Sequence, residues 1–144
     1  MSYIVDVIIP TYKPDKNFGN LIEKLENQTI KPNRIILMNT EEKYIKKFLD
    51  ESKILAKYDN IEIHHVLETE YDHGKTRDMG VQQSKAPYFL CMTQDALPYD
   101  EFLIEELIKV LQKDGIASVY GKQLARENSH ILEKFTRKFN YPEE

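Results

Sequence analysis

Short apolar runs rich in β-branched residues alternate along this chain with segments whose apolar residues recur at helical spacing. The runs are typical of strands buried on both faces, and the periodic segments are typical of helices that cover a sheet. We predict strands at residues 5–9, 34–38, 61–66, 87–92 and 116–120. The helical spacing predicts helices over residues 18–25, 44–55, 75–84, 103–111 and 131–139.

The alternation of strands and helices predicts the fold class. It builds βαβ units, whose crossovers are right-handed and whose strands run parallel. With 144 residues the chain suits a single domain. We therefore expect an α/β fold over residues 1–144, with three αβα layers and a mostly parallel sheet. Ligands of such sheets bind outside the carboxyl ends of the strands, where the strand order reverses.

Charge and cysteine content argue against several classes of protein. The chain has 20 Lys and Arg against 24 Asp and Glu, whereas a general nucleic-acid binder favours a basic excess. Its single cysteine, Cys91, cannot form an internal disulfide and is predicted to be a reduced, buried residue. The chain has no basic leader and no apolar run near the ~20 residues that cross a bilayer. We expect a cytoplasmic protein that rests on a membrane at most.

Asp95 directly follows the fourth predicted strand, so its carboxylate is expected at the rim of the sheet. Mg²⁺ and Mn²⁺ prefer oxygen ligands and often take only one or two protein carboxylates, with water and substrate phosphates completing the shell. Thr93 and Gln94 would add neutral oxygens or orient the ligand. The alternative is that Asp95 begins a turn before Pro98; its place on the rim favours the metal site.

Residues 73–78 follow the third predicted strand and open a helix. Gly74 permits a close backbone approach, and the N–H groups of a helix start favour an anion. Arg77 would pair with a phosphate through its planar guanidinium, and Lys75 would add a point charge. The glycine spacing of a P-loop is absent. An ordinary capped helix start, with His73 a plain loop residue, fits the spacing equally well.

A stiff turn that contains Pro10, Thr11 and Tyr12 follows the first predicted strand. The ring of Tyr12 would stack on a nucleobase, and Thr11 would hydrogen-bond to the edge of the base. A rigid loop whose tyrosine covers the core fits the composition equally well. After the second strand, Asn39 or Glu41 would pair with polar groups of the base or ribose, and a helix cap by Asn39 or Thr40 is the alternative.

The last predicted helix has a basic and an apolar side. Lys134, Arg137 and Lys138 lie beside Ile131, Phe135 and Phe139 in the sequence. Such a helix can bind anionic lipid from the membrane surface. An ordinary solvated helix face is the favoured interpretation.

Four stretches together resemble the amino-terminal half of an inverting, family-two glycosyltransferase of the GT-A fold, in its rhamnosyltransferase-like subgroup. They are VDVIIPTY at residues 5–12, HGKTRD at 73–78, TQDALP at 93–98 and EKFTRKFNYP at 133–142. The first resembles the opening strand and base-binding turn of the family, and the third a variant of its D-x-D metal motif. The opening stretch is common to many sugar transferases, whereas the three later stretches in this order are more specific.

The resemblance implies a donor-binding domain that takes a nucleotide-diphosphate sugar, dTDP-rhamnose or a UDP-sugar, with Mg²⁺ or Mn²⁺. Asp95 would bind the metal, and nucleotide-sugar contacts would come from Pro10, Thr11, Tyr12, Asn39, Glu41, His73, Gly74, Arg77, Asp78 and Gln94. The implied reaction is metal-dependent, inverting transfer to a glycan or lipid-linked acceptor in polysaccharide biosynthesis. Family members are about twice as long, so the chain is expected to end before the acceptor-binding half.

Some positions depart from the family pattern. Asn39 stands where the family usually has an acid, Lys75 replaces a glycine, and Asp78 replaces an asparagine. No residue can be assigned as the general base that inverting transfer needs. The alternative interpretation is therefore a non-catalytic nucleotide-sugar-binding or assembly module with a degenerate GT-A fold. The apolar flank of a half-domain also predicts self-association as a homodimer.

Overall fold

A computed structural model describes residues 3–141 of the chain. These residues divide into two compact units, one that ends at Glu105 and one that begins at Glu106. Residues 1, 2 and 142–144 lie outside the described part. Pro142, the last residue of the family-like stretch, is therefore not described.

Within residues 3–141, four strands form one sheet in the order β3-β2-β1-β4. They are β1 (Val5–Thr11), β2 (Arg34–Thr40), β3 (Ile61–Val66) and β4 (Tyr88–Cys91). All three pairings are parallel, between β1 and β2, β1 and β4, and β2 and β3. With helices flanking this sheet, the predicted three-layer α/β fold is confirmed.

The helices connect the strands and follow the last of them. They are α1 (Lys16–Glu26), α2 (Glu42–Ser52), α3 (Ile54–Lys57), α4 (His73–Gln83), α5 (Leu103–Leu111) and α6 (Ile131–Asn140). A short 3₁₀ turn at Glu68–Glu70 precedes α4. None of the helices in the described residues is long and apolar enough to span a membrane.

The core of the first unit lies against β1 and β2, whose side chains are buried on both faces of the sheet. On one face, Ile8 and Met38 belong to a cluster against which Met79 and Val81 of α4 pack. Gly80, between those two residues, lets the backbone of α4 approach this cluster closely. The helix that carries residues 73–78 is therefore held against the two central strands.

A buried charge lies at the amino end of the sheet. Asp6 is fully buried, and burial alone would raise its pKa. Hydrogen bonds from Asn33, Ser84 and Arg34, together with the positive charge of Arg34, outweigh burial and lower the pKa of Asp6 below 3.8. Arg34 also pairs with Glu62 at 2.8 Å. This network ties β1 to β2, β3 and the end of α4.

Two predicted helices have different bounds in the structure. The segment predicted as one helix over residues 44–55 is broken at Lys53, whose φ of 55° is left-handed, so that α2 ends and α3 begins there. The helix predicted to start at Lys75 starts at His73, because the carboxylate of Asp72 caps it by accepting a hydrogen bond from Lys75 N at 2.8 Å.

Two predictions from β-branched and apolar runs are wrong. Residues 116–120 form no strand: they pair with no other strand among the described residues, and a strand needs a hydrogen-bonded neighbour. Cys91 is exposed rather than buried. The reason is that β4 is an edge strand, and α4 packs over β1 and β2 instead. Phe89, which shares the open face of β4 with Cys91, is 52% exposed.

Candidate functional site at the switch point

The order of the strands reverses at β1. From β1 the chain passes to β2 and then to β3 on one side, and it returns to β4 on the other side of β1. The crevice expected of such a sheet therefore opens between the carboxyl ends of β1 and β4. Thr11 and Tyr12 lie at one side of it, and the turn that contains Gln94 and Asp95 lies at the other.

The side chain of Gln94 joins the two turns. Its Oε1 accepts a hydrogen bond from Tyr12 N at 2.8 Å, and its Nε2 donates one to Tyr12 O at 2.9 Å. Both polar atoms of this amide are thus used within the protein. The neighbouring Asp95 has an exposed side chain at the same end of the sheet.

Tyr12 lies in a cluster of aromatic and charged side chains. Its ring meets that of Tyr44 edge-on, with 5.3 Å between centroids, and Lys13 Nζ lies 4.7 Å from both ring centroids. The Tyr12 hydroxyl donates to Glu68 Oε1 at 3.3 Å. The hydrogen bond between Tyr12 and Lys13 is the main cause that raises the pKa of Lys13. Tyr12 is 38% exposed, and its ring contacts Tyr44 and Lys13.

Asn39, near the carboxyl end of β2, is fully buried. Its Nδ2 donates to Glu41 O at 3.0 Å and contacts His65 Nδ1 at 3.1 Å, while its Oδ1 accepts from Thr11 Oγ1 at 3.2 Å. Because a carbonyl can only accept, Glu41 O sets the orientation of the amide, and His65 Nδ1 must then be an acceptor. Asn39 thus supports Thr11 from below, and it does not cap α2.

Glu41 holds the loop after β3. Its backbone φ is 64°, and its Oε1 accepts a hydrogen bond from Glu68 N at 2.8 Å. Since Glu68 also accepts from the Tyr12 hydroxyl, the loops after β1, β2 and β3 are joined through these three side chains. Pro10, the remaining predicted residue of this turn, is half-buried within β1.

The predicted anion-binding residues of α4 make mostly local contacts. His73 Nδ1 lies 2.9 Å from the Tyr71 hydroxyl, and Arg77 Nη1 donates to His73 O at 3.0 Å. Asp78 accepts from Gln82 at 2.7 Å. A side chain at Gly74 would meet only the Asp72 carboxylate, at 3.6 Å, so no close backbone approach requires this glycine here.

The positive charge of Arg77 also acts on Cys91, at the end of β4. Burial raises the pKa of the Cys91 thiol, although the residue is exposed, and the charge of Arg77 partly opposes that rise. The Arg77 guanidinium therefore lies near the edge strand. The Asp72 carboxylate already caps the helix start, which leaves Arg77 as the clearer candidate for an anion.

A metal ion at this rim would have Asp95 as its protein ligand and would need further ligands from a bound substrate. The described residues contain no group of three His, Cys, Asp or Glu side chains placed to hold a metal ion. One exposed carboxylate fits Mg²⁺ or Mn²⁺ only when phosphate and water oxygens complete the shell. The arrangement therefore suits a metal that arrives with a diphosphate.

Three side chains of the site were not predicted as ligand contacts. Tyr44, Glu68 and His65 reach it through the folded sheet: Tyr44 from the first turn of α2, Glu68 from the 3₁₀ turn, and His65 from β3. Each lies in a segment of ordinary composition. Their only signal is that they lie at the carboxyl end of a strand or within a few residues after it.

A parallel α/β sheet with polar side chains gathered at its switch point has the ligand-binding arrangement of doubly wound α/β proteins. Residues 6–141 match the model of Glycosyl transferase family 2, and the chain belongs to that family. It is 31% identical over 139 residues to the O-antigen chain rhamnosyltransferase RfbN of Salmonella typhimurium. It is 24% identical over 137 residues to the O-antigen chain rhamnosyltransferase WbaN of Salmonella anatum.

These two alignments cover 95% and 94% of the chain and 42% of each relative. The chain thus spans less than half the length of the curated relatives it matches. The predicted resemblance to rhamnosyltransferase-like members of the family is confirmed.

Proposed function

We propose that this chain is the donor-binding part of a glycosyltransferase that transfers a sugar from a nucleotide-diphosphate donor. The sugar that we propose is rhamnose. The observation that carries the proposal is the meeting of the turns after β1 and β4, which brings an exposed tyrosine beside an exposed carboxylate at the switch point. The two rhamnosyltransferase relatives support rhamnose as the sugar.

In this proposal the nucleoside lies against Tyr12, with Thr11 and Asn39 beneath it and Glu41 holding the adjoining loop. Asp95 holds Mg²⁺ or Mn²⁺ together with the donor diphosphate. When bound, the metal supplies positive charge that stabilises the departing nucleoside diphosphate.

Arg77 adds a fixed positive charge at the same end of the sheet, where negative charge develops as the diphosphate leaves. His73, Gly74 and Asp78 complete this side of the proposed pocket. Asp78 opposes a diphosphate electrostatically, and Arg77, one residue before it, offsets that charge.

The acceptor proposed for the whole enzyme is a glycan or lipid-linked sugar of a polysaccharide pathway, attacked with inversion at the anomeric carbon. No residue of this chain is assigned as the general base. We therefore expect the chain to bind donor better than it turns donor over, in the cytoplasm or at the cytoplasmic face of a membrane.

Calorimetry with dTDP-rhamnose, a UDP-sugar and a GDP-sugar, each with and without Mn²⁺, tests the proposal. We expect Mn²⁺ to strengthen donor binding and Asp95→Asn to remove that gain. Asp59→Asn, the same change in an exposed residue before β3, is the matched control and should behave as the unchanged chain. If no nucleotide binds, and Asp95→Asn changes nothing, the proposal is wrong. Nucleotide binding without any donor hydrolysis or transfer, together with a stable partner in a pull-down, would favour the non-catalytic module.

Two surfaces support further parts of the proposal. Four apolar side chains of α6 are 69–76% exposed: Ile131, Leu132, Phe135 and Phe139. With Lys134, Arg137 and Lys138 in the same helix, we propose that α6 makes a peripheral contact with anionic lipid.

We also propose that the open face of β4, which contains Phe89, forms the interface of a homodimer. Phe89→Ser should then abolish concentration-dependent dimerisation in sedimentation velocity.

A further inference from the structure

The pairing of β1 and β4 ends before the site begins. The two strands pair from Val5 opposite Tyr88 to Ile8 opposite Cys91, and Met92 N donates to Ile8 O at 3.0 Å. Beyond that bond β1 continues to Thr11, whereas β4 has ended. The crevice at the switch point lies where the two strands separate. Backbone N–H and C=O groups there need other hydrogen-bond partners.

Gln94 supplies those partners for Tyr12. A primary amide carries one acceptor and a donor in the same plane, as a peptide group does, so it can exchange two hydrogen bonds with one residue in the manner of a paired strand. Tyr12 N–H can only donate and Tyr12 C=O can only accept, which sets the orientation of the Gln94 amide. The two bonds, at 2.8 and 2.9 Å, join residues 82 positions apart.

We propose that Gln94 is a positioning residue that sets the distance between the nucleoside side and the diphosphate side of the donor pocket. It does so because it grips the backbone of Tyr12 while its chain neighbour is Asp95. We assign its amide to positioning rather than to binding the metal or the donor sugar, since each of its two polar atoms is bonded to Tyr12. This inference rests on the proposed function, in which Tyr12 and Asp95 bind the two ends of one ligand.

Two substitutions separate this role from metal binding. Gln94→Met keeps the length of the side chain and removes both hydrogen bonds without adding charge. Gln94→Glu keeps the acceptor for Tyr12 N–H but places a second oxygen against Tyr12 O, where two acceptors repel. Gln83→Glu, the same change in an exposed residue at the end of α4, is the control for added charge.

Calorimetry with dTDP and UDP, with and without Mn²⁺, gives the first measurement. We expect both variants at position 94 to bind about ten-fold more weakly under either condition, and Gln83→Glu to bind as the unchanged chain does. Were Gln94 a metal ligand, the carboxylate of Gln94→Glu would strengthen Mn²⁺-dependent binding, and that result would overturn the inference. Unchanged affinity of Gln94→Met would overturn it too.

Amide hydrogen exchange in the unliganded chain gives a second measurement, which does not depend on nucleotide binding. The Tyr12 amide proton should exchange about ten-fold faster in Gln94→Met than in the unchanged chain, while amides of the central strands keep their protection. Equal exchange at Tyr12 would show that Gln94 does not grip that turn. If the unchanged chain binds no nucleotide at all, the proposed function fails first, and the inference fails with it.

Discussion

Gly80 provides the sharpest test of how α4 is held against the sheet. A Cβ added at this position would lie 2.5 Å from Ile8 Cγ2 and 3.0 Å from Met38 Cγ. Ile8 is β-branched and fully buried in a central strand, so its methyl group cannot move away without shifting β1. Gly80→Ala must therefore push α4 outward or distort β1.

The size of the effect follows from two opposing contributions. Overpacking a well-packed core costs about 1–3 kcal/mol, and alanine in a helix interior regains about 1 kcal/mol relative to glycine. The added Cβ would lie 3.0 Å or less from atoms of both Ile8 and Met38. We therefore place the cost of overpacking in the upper half of its 1–3 kcal/mol range, at about 2–3 kcal/mol. The free energy of unfolding of Gly80→Ala should then fall by about 1–2 kcal/mol.

Gly19→Ala is the matched control, since Gly19 also lies inside a helix. Its added Cβ would meet Phe48 Cε2 at 3.8 Å, an ordinary contact, so the variant should gain about 0.5–1 kcal/mol. Urea unfolding followed by circular dichroism measures both variants against the unchanged chain. If Gly80→Ala is as stable as Gly19→Ala, the close packing of α4 on β1 is wrong.

Three other changes should have measurable effects. Asp6→Asn should lower the free energy of unfolding by about 2 kcal/mol at pH 7, because Arg34 loses a charged, buried acceptor while it keeps its pair with Glu62. Folding lowers the pKa of Asp6 below 3.8, so its carboxylate contributes stability above that pH, and the difference between the two proteins should shrink in urea titrations at increasingly acid pH. The double change Phe135→Ser and Phe139→Ser should abolish cosedimentation with vesicles rich in phosphatidylglycerol; equal binding to neutral vesicles would contradict a role for the basic side chains. Tyr44→Ala should weaken UDP binding about five-fold in calorimetry if its ring supports the nucleoside side of the pocket, and unchanged affinity would speak against that support.

Predictions from local patterns succeeded where the residues of a segment by themselves indicate its structure. The runs around Ile8 and Ile36 are buried from both faces, so their apolar character is continuous and marks a central parallel strand without knowledge of any partner. The same reasoning failed for residues 116–120 and for Cys91. A run of similar composition becomes a buried strand only when neighbours pair with it and cover it, and composition carries no information about those neighbours.

Parts of the candidate site were predictable for a topological reason. In a parallel sheet every strand delivers its following residue to the same rim, so Tyr12, Asn39 and Asp95 were expected at one end of the molecule. The sequence does not indicate which of these side chains is exposed. Asn39 is fully buried under Thr11, whereas Tyr12 is partly open to solvent.

The local pattern of residues was enough for the first four strands, the parallel sheet and the rim on which polar residues gather, because hydrophobic pattern and chain direction are local properties. Only tertiary structure could show that Gln94 bonds to the backbone of Tyr12, that Glu68 reaches the Tyr12 hydroxyl, and that the charge of Arg77 acts on Cys91 in the edge strand. Those contacts join residues far apart in the chain, and their geometry exists only once the sheet has brought the strand ends together.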